Sequence, residues 1–265
     1  MTRLPTIFFG HGSPMNALED NVCTREWTRM GTRLGAPKAI LVVSAHWYTR
    51  GTAVTAMTAP RTIHDFGAFP QALFDVRYPA PGSPELAQRV AELLAPVVAP
   101  AAVIQDQNWG LDHGTWSVLV KAFPKADIPV VQLSMDGTKP AAHHYEVGRR
   151  LAALRDEGVL IVGTGNVVHN LGRMNWDPTT PPYPWAARFN DLVKRCVAAD
   201  TPQPLIDFQQ GGDDARASIP SPDHYLPLLY VLGTRQPDDA VTLVNDRVEH
   251  GSLSMLTIAF GDLAA

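Results

Sequence analysis

The chain has 265 residues, of which 45% are hydrophobic and 18% charged, a composition typical of a globular protein with a substantial buried core. It excludes a disulfide-stabilised miniprotein and a chain that is disordered over long stretches. The formal net charge is -4, and no basic stripe is present that could neutralise a row of phosphates, so we expect no nucleic acid partner.

Short apolar runs rich in β-branched residues alternate with longer helical patterns along the chain. This alternation predicts an α/β fold, a central, largely parallel or mixed β-sheet flanked by helices. The runs are nearly continuous in their apolarity, which indicates strands buried on both faces. In chain order, the predicted elements are strands at 6–9 and 39–44, a helix at 84–94, a strand at 128–134, a helix at 141–157, a strand at 159–163, helices at 185–198 and 224–232, a weaker strand at 241–244 and a strand at 254–260.

The chain shows no repeat, low-complexity tract or Gly/Ser linker, so we expect residues 1–265 to form a single domain. Two stretches lack clear regular structure, at 60–82 and at 174–184, and both carry aromatic residues and prolines. Long loops in compact domains are usually lids or binding loops. We therefore expect these two stretches to form walls of one cleft.

The spacing of the cysteines and the hydropathy of the chain indicate the cellular compartment of the protein. Cys23 and Cys196 lie far apart and outside any zinc-finger or CxxC spacing, which suits free thiols in a reducing environment. No apolar run approaches the roughly 18 to 20 residues needed to cross a bilayer, and the first residues lack the pattern of a signal peptide. The sequence therefore predicts a cytoplasmic protein without membrane contact.

Three of the nine histidines follow predicted strands. His11 comes directly after the first strand, His46 after the second, and His169 shortly after the strand at 159–163. Taken singly, each is better explained as a hydrogen-bonded histidine at a strand end. Because the carboxyl ends of parallel strands line one edge of a sheet, three imidazoles at equivalent positions indicate a shared metal site.

Other histidines have contexts of their own. Asp112 precedes His113, and Asp223 precedes His224, each pair at an apparent helix start where the aspartate can also act as an N-cap. For His64 and Asp65, which lie in the first irregular stretch, substrate contact and simple solvent exposure both stay open. The histidines that we expect at the surface without a role are His143, His144 and His250.

Competing catalytic motifs are weak. The sequence has no GxSxG elbow, no P-loop lysine motif and no complete dinucleotide-binding fingerprint. Ser13 lies near His11 but has no orienting acid nearby. Hydride transfer, phosphoryl transfer and a serine nucleophile are therefore not expected.

Several motifs together resemble the 4,5-DOPA extradiol dioxygenase family, which belongs to the LigB-like class III extradiol ring-cleavage dioxygenases. The resemblance spans nearly the whole chain in order, and it is close to the bacterial members of the family. The motifs are GHGSPMNA at 10–17, SAHW at 44–47, HDFG at 64–67, YPAPG at 78–82, DHGTW at 112–116, GNVVHNL at 165–171 and DHYLPL at 223–228.

The resemblance implies a single catalytic domain that opens a catechol ring with dioxygen and one divalent metal ion. A catechol such as L-DOPA would be cleaved at the 4,5 position to a seco-DOPA semialdehyde. By the same resemblance, His11, His46 and His224 bind the metal, His169 is a fourth ligand or the adjacent base, and His113 faces the substrate. The cleavage position and the physiological substrate are not fixed by the residues, and neither is the oligomeric state.

The ligand set departs from the common pattern of non-haem iron oxygenases, which use two histidines and one carboxylate. Here the third position is His224, and only Asp223 lies beside it. A site of imidazoles alone also suits Zn²⁺, which has no redox chemistry with dioxygen. We therefore expect Zn²⁺ in the protein as isolated and Fe²⁺ for turnover.

In the expected mechanism, the metal lowers the pKa of the catechol and His169 or His113 accepts a proton from it. Trp47, Tyr225 and His64 are the residues that we expect to contact the substrate, although core packing explains each aromatic residue as well. The rival function is a zinc-dependent hydrolase of an amide or ester that uses the same histidine site. A metal-dependent binding protein without turnover is a third interpretation.

Overall fold

A mixed β-sheet forms the centre of the protein, and its strands follow the apolar runs of the sequence. The computed structural model describes residues 3–177 and 179–263. The strands are β1 (Thr6–Gly10), β2 (Ala39–Thr49), β3 (Ala53–Thr55), β4 (Ile104–Asp106), β5 (Val130–Asp136), β6 (Val159–Gly165), β7 (Val241–Val244), β8 (Val248–Glu249), β9 (Leu253–Ser254) and β10 (Thr257–Phe260).

In the described part of the chain, eight strands form one sheet in the order β4-β3-β5-β2-β6-β1-β10-β7, while β8 and β9 form a separate hairpin. The four central strands β5, β2, β6 and β1 are parallel to one another. Strands β10 and β7 pair antiparallel beyond β1, and β3 is antiparallel to β5. The predicted α/β fold with a largely parallel or mixed sheet is confirmed, and the carboxyl ends of β1, β2 and β6 lie at one edge.

Helices cover both faces of this sheet. None of the helices in the described ranges is long and apolar enough to cross a membrane. They are α1 (Val22–Leu34), α2 (Gln71–Phe74), α3 (Pro84–Val98), α4 (His113–Ala122), α5 (Ala141–Leu151), α6 (Ala153–Asp156), α7 (Pro184–Ala198), α8 (Gln203–Ile206), α9 (Gly212–Ser218) and α10 (Leu226–Thr234).

Successive residues of the central strands point to opposite faces, as the pleat requires. In β1, Phe8 packs in an apolar core shared with α3, α5, α7 and α10. Its neighbours Ile7 and Phe9 pack in a second core with Trp27 of α1 and Trp116 of α4. The prediction that the strands are buried on both faces is therefore confirmed.

Two predicted elements are divided in the structure. The strand predicted at 254–260 is two strands, because Ser254 ends the hairpin with β8 and the chain joins the sheet only at Thr257. The helix predicted at 141–157 consists of α5 and α6, which meet at Ala152. The other predicted strands and helices are present, with ends that differ by a few residues.

Helix α10 begins two residues later than predicted. Pro227 has no amide hydrogen and fits only in the first turn of a helix, so the helix starts at Leu226. His224 consequently lies in the turn before the helix. Helix α1, which Asn21 caps, was not among the predicted elements, and of α4 only the start at Asp112 was predicted.

His144 is buried, so the expectation that it lies at the surface is wrong. Its position on α5 faces α10, where its Nδ1 lies 2.9 Å from the hydroxyl oxygen of Tyr230. Burial, and next the charge of His143, lower the pKa of His144 from 6.5 to about 4. The ring is therefore neutral in the folded protein at neutral pH.

This burial predicts a loss of stability in mild acid. Between pH 6.5 and about 4 the unfolded chain binds a proton at His144 and the folded chain does not, so the free energy of unfolding decreases as the pH falls. The contribution is fully present above pH 6.5, and its total is on the order of 3 kcal/mol. Urea unfolding of the wild type and of His144→Gln at pH 7.5 and 4.5 measures it.

The other buried imidazoles are present in both the wild type and His144→Gln. The difference between the two proteins in the pH dependence of the free energy of unfolding therefore isolates His144. We expect a flatter pH dependence for the variant. Equal losses of stability in the two proteins would show that His144 does not contribute.

Candidate active site

The parallel strands deliver histidines to one edge of the sheet. His11 directly follows β1, His46 lies near the end of β2, and His169 follows β6. Two further imidazoles reach the same place from helix starts: His113 is the first residue of α4, and His224 precedes α10. The sequence prediction that distant histidines meet at this edge agrees with the geometry.

Three of these imidazoles form a group that could bind a metal ion. One ring nitrogen each from His11, His46 and His224 lies within 4.8 Å of the other two. The Nε2 atoms of His11 and His46 are 3.5 Å apart, and the ring of His224 stands nearly perpendicular to that of His46. All three rings are largely buried, so a cation between them is shielded from bulk water.

Each of these rings has a polar neighbour at its Nδ1 atom. Nδ1 of His11 lies 2.9 Å from Oγ1 of Thr164, and Nδ1 of His224 is hydrogen-bonded to Oδ2 of Asp223. Nδ1 of His46 is 3.7 Å from Oδ2 of Asp65. The hydrogen bonds of His11 and His224 fix the tautomer and leave Nε2 free as the ligand atom, which is how metal-binding histidines are usually supported.

The electrostatics of the group also fit a cation. Burial, and next the surrounding imidazoles, lower the pKa of His11 and of His46 well below the ordinary value. Both rings are therefore neutral at pH 7, which is the form that binds a metal. Because these two rings carry no positive charge, they do not repel each other or a bound cation.

Asp223 and Asp112 have different roles. The interpretation of Asp223 as a helix cap is wrong, because α10 starts at Leu226 and the Asp223 carboxylate bonds to His224 instead. Asp112 does cap α4 through the backbone amide of Thr115, as predicted. Its carboxylate also accepts a hydrogen bond of 2.7 Å from Ser44, and burial raises its pKa.

Asp65 joins two of the imidazoles, a role that the sequence reasoning did not assign to it. Its Oδ1 lies 3.0 Å from Nδ1 of His113 and accepts the backbone amide of His113 at 2.9 Å. Burial acts to raise the pKa of Asp65, but the hydrogen bond and the charge of His113 outweigh it and the pKa is lowered. Asp65, His46 and His113 also lie close enough to hold a cation. The hydrogen-bond distance between Asp65 and His113 favours a supporting role instead.

His169 lies beside the group of three. Its ring stacks on that of His224, with centroids 3.6 Å apart and planes 3° from parallel. Its backbone amide donates to Ser218, and it forms an isolated bridge with Leu253. Burial, and next the charge of His224, lower its pKa to about 3. Of the two roles left open for His169, a position adjacent to the ligands fits this stacking better than a fourth ligand.

The histidines form one end of a cavity of about 440 Å³. Both irregular stretches contribute walls to it, as expected from their length and aromatic content. The residues that line the cavity are His11, Gly12, Ser13, Pro14, His46, Phe66, Phe69, His113, His169, Leu171, Met174, Trp176, His224, Glu249, His250, Leu253 and Met255.

The structure does not bring the three expected substrate contacts to this wall. Tyr225 is buried in the core, where its hydroxyl donates to the carbonyl of Leu205. Trp47 stacks on Trp109, with centroids 5.5 Å apart. His64 lies behind the wall, with Nε2 3.0 Å from the carbonyl oxygen of Val76.

Among the cavity residues that were missed, two have titratable side chains. His250 was expected at the surface, but it is half-buried and lines the cavity. Glu249, its neighbour in the hairpin of β8 and β9, also lines the cavity. A short hairpin without strong apolar alternation gives no sequence signal for this position.

Comparison with known proteins identifies the family. Residues 5–261 match the family model described as the catalytic LigB subunit of aromatic ring-opening dioxygenase. The chain belongs to this LigB family. A LigB-family chain of this kind is an extradiol ring-cleavage dioxygenase.

Individual relatives agree with the family match. The LigB-family chain is 55% identical over 265 residues to 4,5-DOPA dioxygenase extradiol of Escherichia coli strain K12, covering 98% of this chain and 96% of that protein. It is 36% identical to 4,5-DOPA dioxygenase extradiol of Beta vulgaris, covering 94% and 93%. A crystal structure of an uncharacterized protein from Escherichia coli K12 superposes with a TM-score of 0.85 at 49% identity, covering 98% of this chain and 100% of that one.

Proposed function

We propose that the protein is a metal-dependent extradiol dioxygenase that cleaves a catechol such as L-DOPA at the 4,5 position to a seco-DOPA semialdehyde. The observation that carries the proposal is the convergence of His11, His46 and His224 at the closed end of an aromatic-lined cavity. The printed names of the Escherichia coli and Beta vulgaris relatives support L-DOPA as a substrate.

We assign one divalent metal ion to His11, His46 and His224. Imidazoles held through their Nδ1 atoms fit such an ion, as the contacts of His11 to Thr164 and of His224 to Asp223 illustrate. When bound there, Fe²⁺ would supply Lewis acidity toward a catechol and redox chemistry with dioxygen. The all-imidazole set also suits Zn²⁺, which we expect in the protein as isolated.

His113 and His169 are the groups that we assign to proton transfer. Both line the cavity beside the proposed ligands. Asp65 engages Nδ1 of His113, so Nε2 of His113 is left to exchange a proton with a catechol hydroxyl. Phe66, whose ring meets that of His113 edge to face, excludes water from one side of a flat substrate ring.

The ligand set supports one other function. Zn²⁺ held by imidazoles can activate water, so a hydrolase of an amide or ester is the alternative. The cavity favours ring cleavage, because its walls beyond the histidines are mostly apolar and aromatic and suit a planar ring.

Anaerobic loading of the apoprotein with Fe²⁺, followed by L-DOPA and air, tests the proposal. We expect uptake of dioxygen together with a yellow product, and neither with Zn²⁺ in place of Fe²⁺. Oxygen electrode traces and absorbance spectra recorded on the same samples give the measurement. Inertness toward catechols combined with amide or ester cleavage by the Zn²⁺ form would support the hydrolase instead.

We also propose a cytoplasmic location. Cys23 and Cys196 are both buried and free of disulfides, which is consistent with a reducing compartment.

A further inference from the structure

Glu249 is the acidic residue of the cavity wall. The described residues that line the cavity include no lysine and no arginine. We propose that Glu249 forms a subsite for a cationic ammonium group on the side chain of the catechol, an inference that rests on the function proposed above. A carboxylate in an otherwise apolar wall favours a cation and disfavours an anion at the same place.

The solvent exposure of the lining residues varies along the cavity and shows which end is closed and which is open. His11 is 2% exposed and His224 is 8% exposed, so the metal-binding end is closed. Trp176 is 84% exposed and Leu171 58%, so these residues mark the open end. The Glu249 side chain is 34% exposed and lines the same cavity. A catechol bound through its hydroxyls at the closed end directs its substituent toward the open end, along the wall that contains Glu249.

The backbone fixes the distance between Glu249 and the histidines. Leu253 pairs with Glu249 across the hairpin and with His169 on its other side. Glu249 thus lies two strand spacings from His169, or about 10 Å. The hairpin turn is held in place, because the amide of Tyr183 donates to the carbonyl of Gly251 at 2.9 Å. A carboxylate on so constrained a segment is positioned before the substrate arrives.

One oxygen of the Glu249 carboxylate is free to accept a hydrogen bond. Oε1 of Glu249 lies 3.4 Å from Nε of Arg247 and 3.9 Å from Sγ of Cys23. Among the described residues, no donor contacts Oε2. Arg247 is 48% exposed and outside the cavity lining, so water screens its charge and it only partly neutralises Glu249. An ammonium group at Oε2 completes the hydrogen bonding of the carboxylate.

Binding and turnover of three catechols test the subsite: unsubstituted catechol, dopamine with its ammonium group, and homoprotocatechuate with its carboxylate. Affinities are measured by calorimetry on the Zn²⁺-loaded protein without oxygen, and kcat/KM on the Fe²⁺-loaded protein. We expect Glu249→Gln to lower the preference for dopamine over catechol about fivefold, the effect of one half-exposed ion pair. The same variant raises the preference for homoprotocatechuate over catechol.

We expect Arg247→Gln to change the preference for dopamine over catechol in the opposite direction. Removal of the competing cation strengthens the preference for dopamine about twofold. Glu92→Gln is the matched control, because Glu92 is an exposed carboxylate on α3 outside the cavity lining, and its loss changes the net charge equally. We expect the control to leave the dopamine preference unchanged.

The outcomes separate this inference from the proposed function. A dopamine preference that is the same in Glu249→Gln and the wild type, while catechol is opened normally, overturns the subsite alone. Selective binding that responds to Glu249 without any ring opening supports the subsite and contradicts the proposed dioxygenase function.

Discussion

His11→Ala and His46→Ala each abolish metal binding and ring cleavage together. Each variant removes one of three imidazoles whose ligand nitrogens lie within 4.8 Å of one another, and no other described side chain joins that group. Loss of outer-shell partners alone typically weakens metal binding 10-fold to 100-fold, so loss of a ligand is expected to exceed about a hundredfold. Metal content per chain by mass spectrometry, with dioxygen uptake on the same samples, measures both effects.

His143→Ala is the control for this pair. His143 is a half-buried histidine on α5, so its replacement removes an imidazole without touching the cavity. We expect wild-type metal content and activity in the control, and near wild-type thermal stability in all three variants. Full metal content in both His11→Ala and His46→Ala would contradict the assignment of the metal ligands.

The sequence predicted the site residues best where regular strands fix the direction in which the chain runs. Apolar runs located the central strands, and parallel strands carry the residues that follow them to one edge. His11, His46 and His169 were therefore predicted together from their positions alone. His224 gave no such signal, because it precedes a helix and reaches the site through a turn; only the family resemblance indicated its role.

A position next to a site histidine in the chain did not predict contact with the cavity. Trp47 follows His46 in β2, and successive residues of a strand point to opposite faces, so the two could not share the cavity. Tyr225 follows His224 in the turn before α10, and its ring packs in the core on Phe208 instead. The predicted strand ended at residue 44, so excluding Trp47 required the longer β2 of the structure, and excluding Tyr225 required the turn geometry.

The residues that were missed lie in segments without periodicity. Asp65 belongs to the 60–82 stretch, and Glu249 belongs to a two-strand hairpin. Tertiary contacts set the course of such segments, since they have no regular pattern of their own. The length and aromatic content of the stretch indicated a binding wall, but the side chain that supports His113 could be identified only in three dimensions.

Asp65→Asn tests the support of His113 directly. Oδ1 of Asp65 lies 3.0 Å from Nδ1 of His113, a contact that favours the tautomer with its proton on Nδ1 and with Nε2 as the acceptor on the cavity side. An asparagine amide can donate to Nδ1 instead and thereby favours the other tautomer, with the proton on Nε2. We expect kcat to fall by about a hundredfold or more, the range typical of general acid–base catalysis, with a smaller change in KM.

The metal site and the proton-transfer group respond differently to this variant. The contact between Asp65 and His46 is 3.7 Å, longer than the 3.0 Å contact with His113, so the loss of metal affinity is expected to be the lesser effect. At saturating Fe²⁺ the variant should hold one metal per chain while kcat remains low. Asp75→Asn is the matched control, because Asp75 is exposed in the same stretch and contacts Gln71 rather than a histidine. A kcat for Asp65→Asn equal to that of the control would show that His113 does not depend on Asp65.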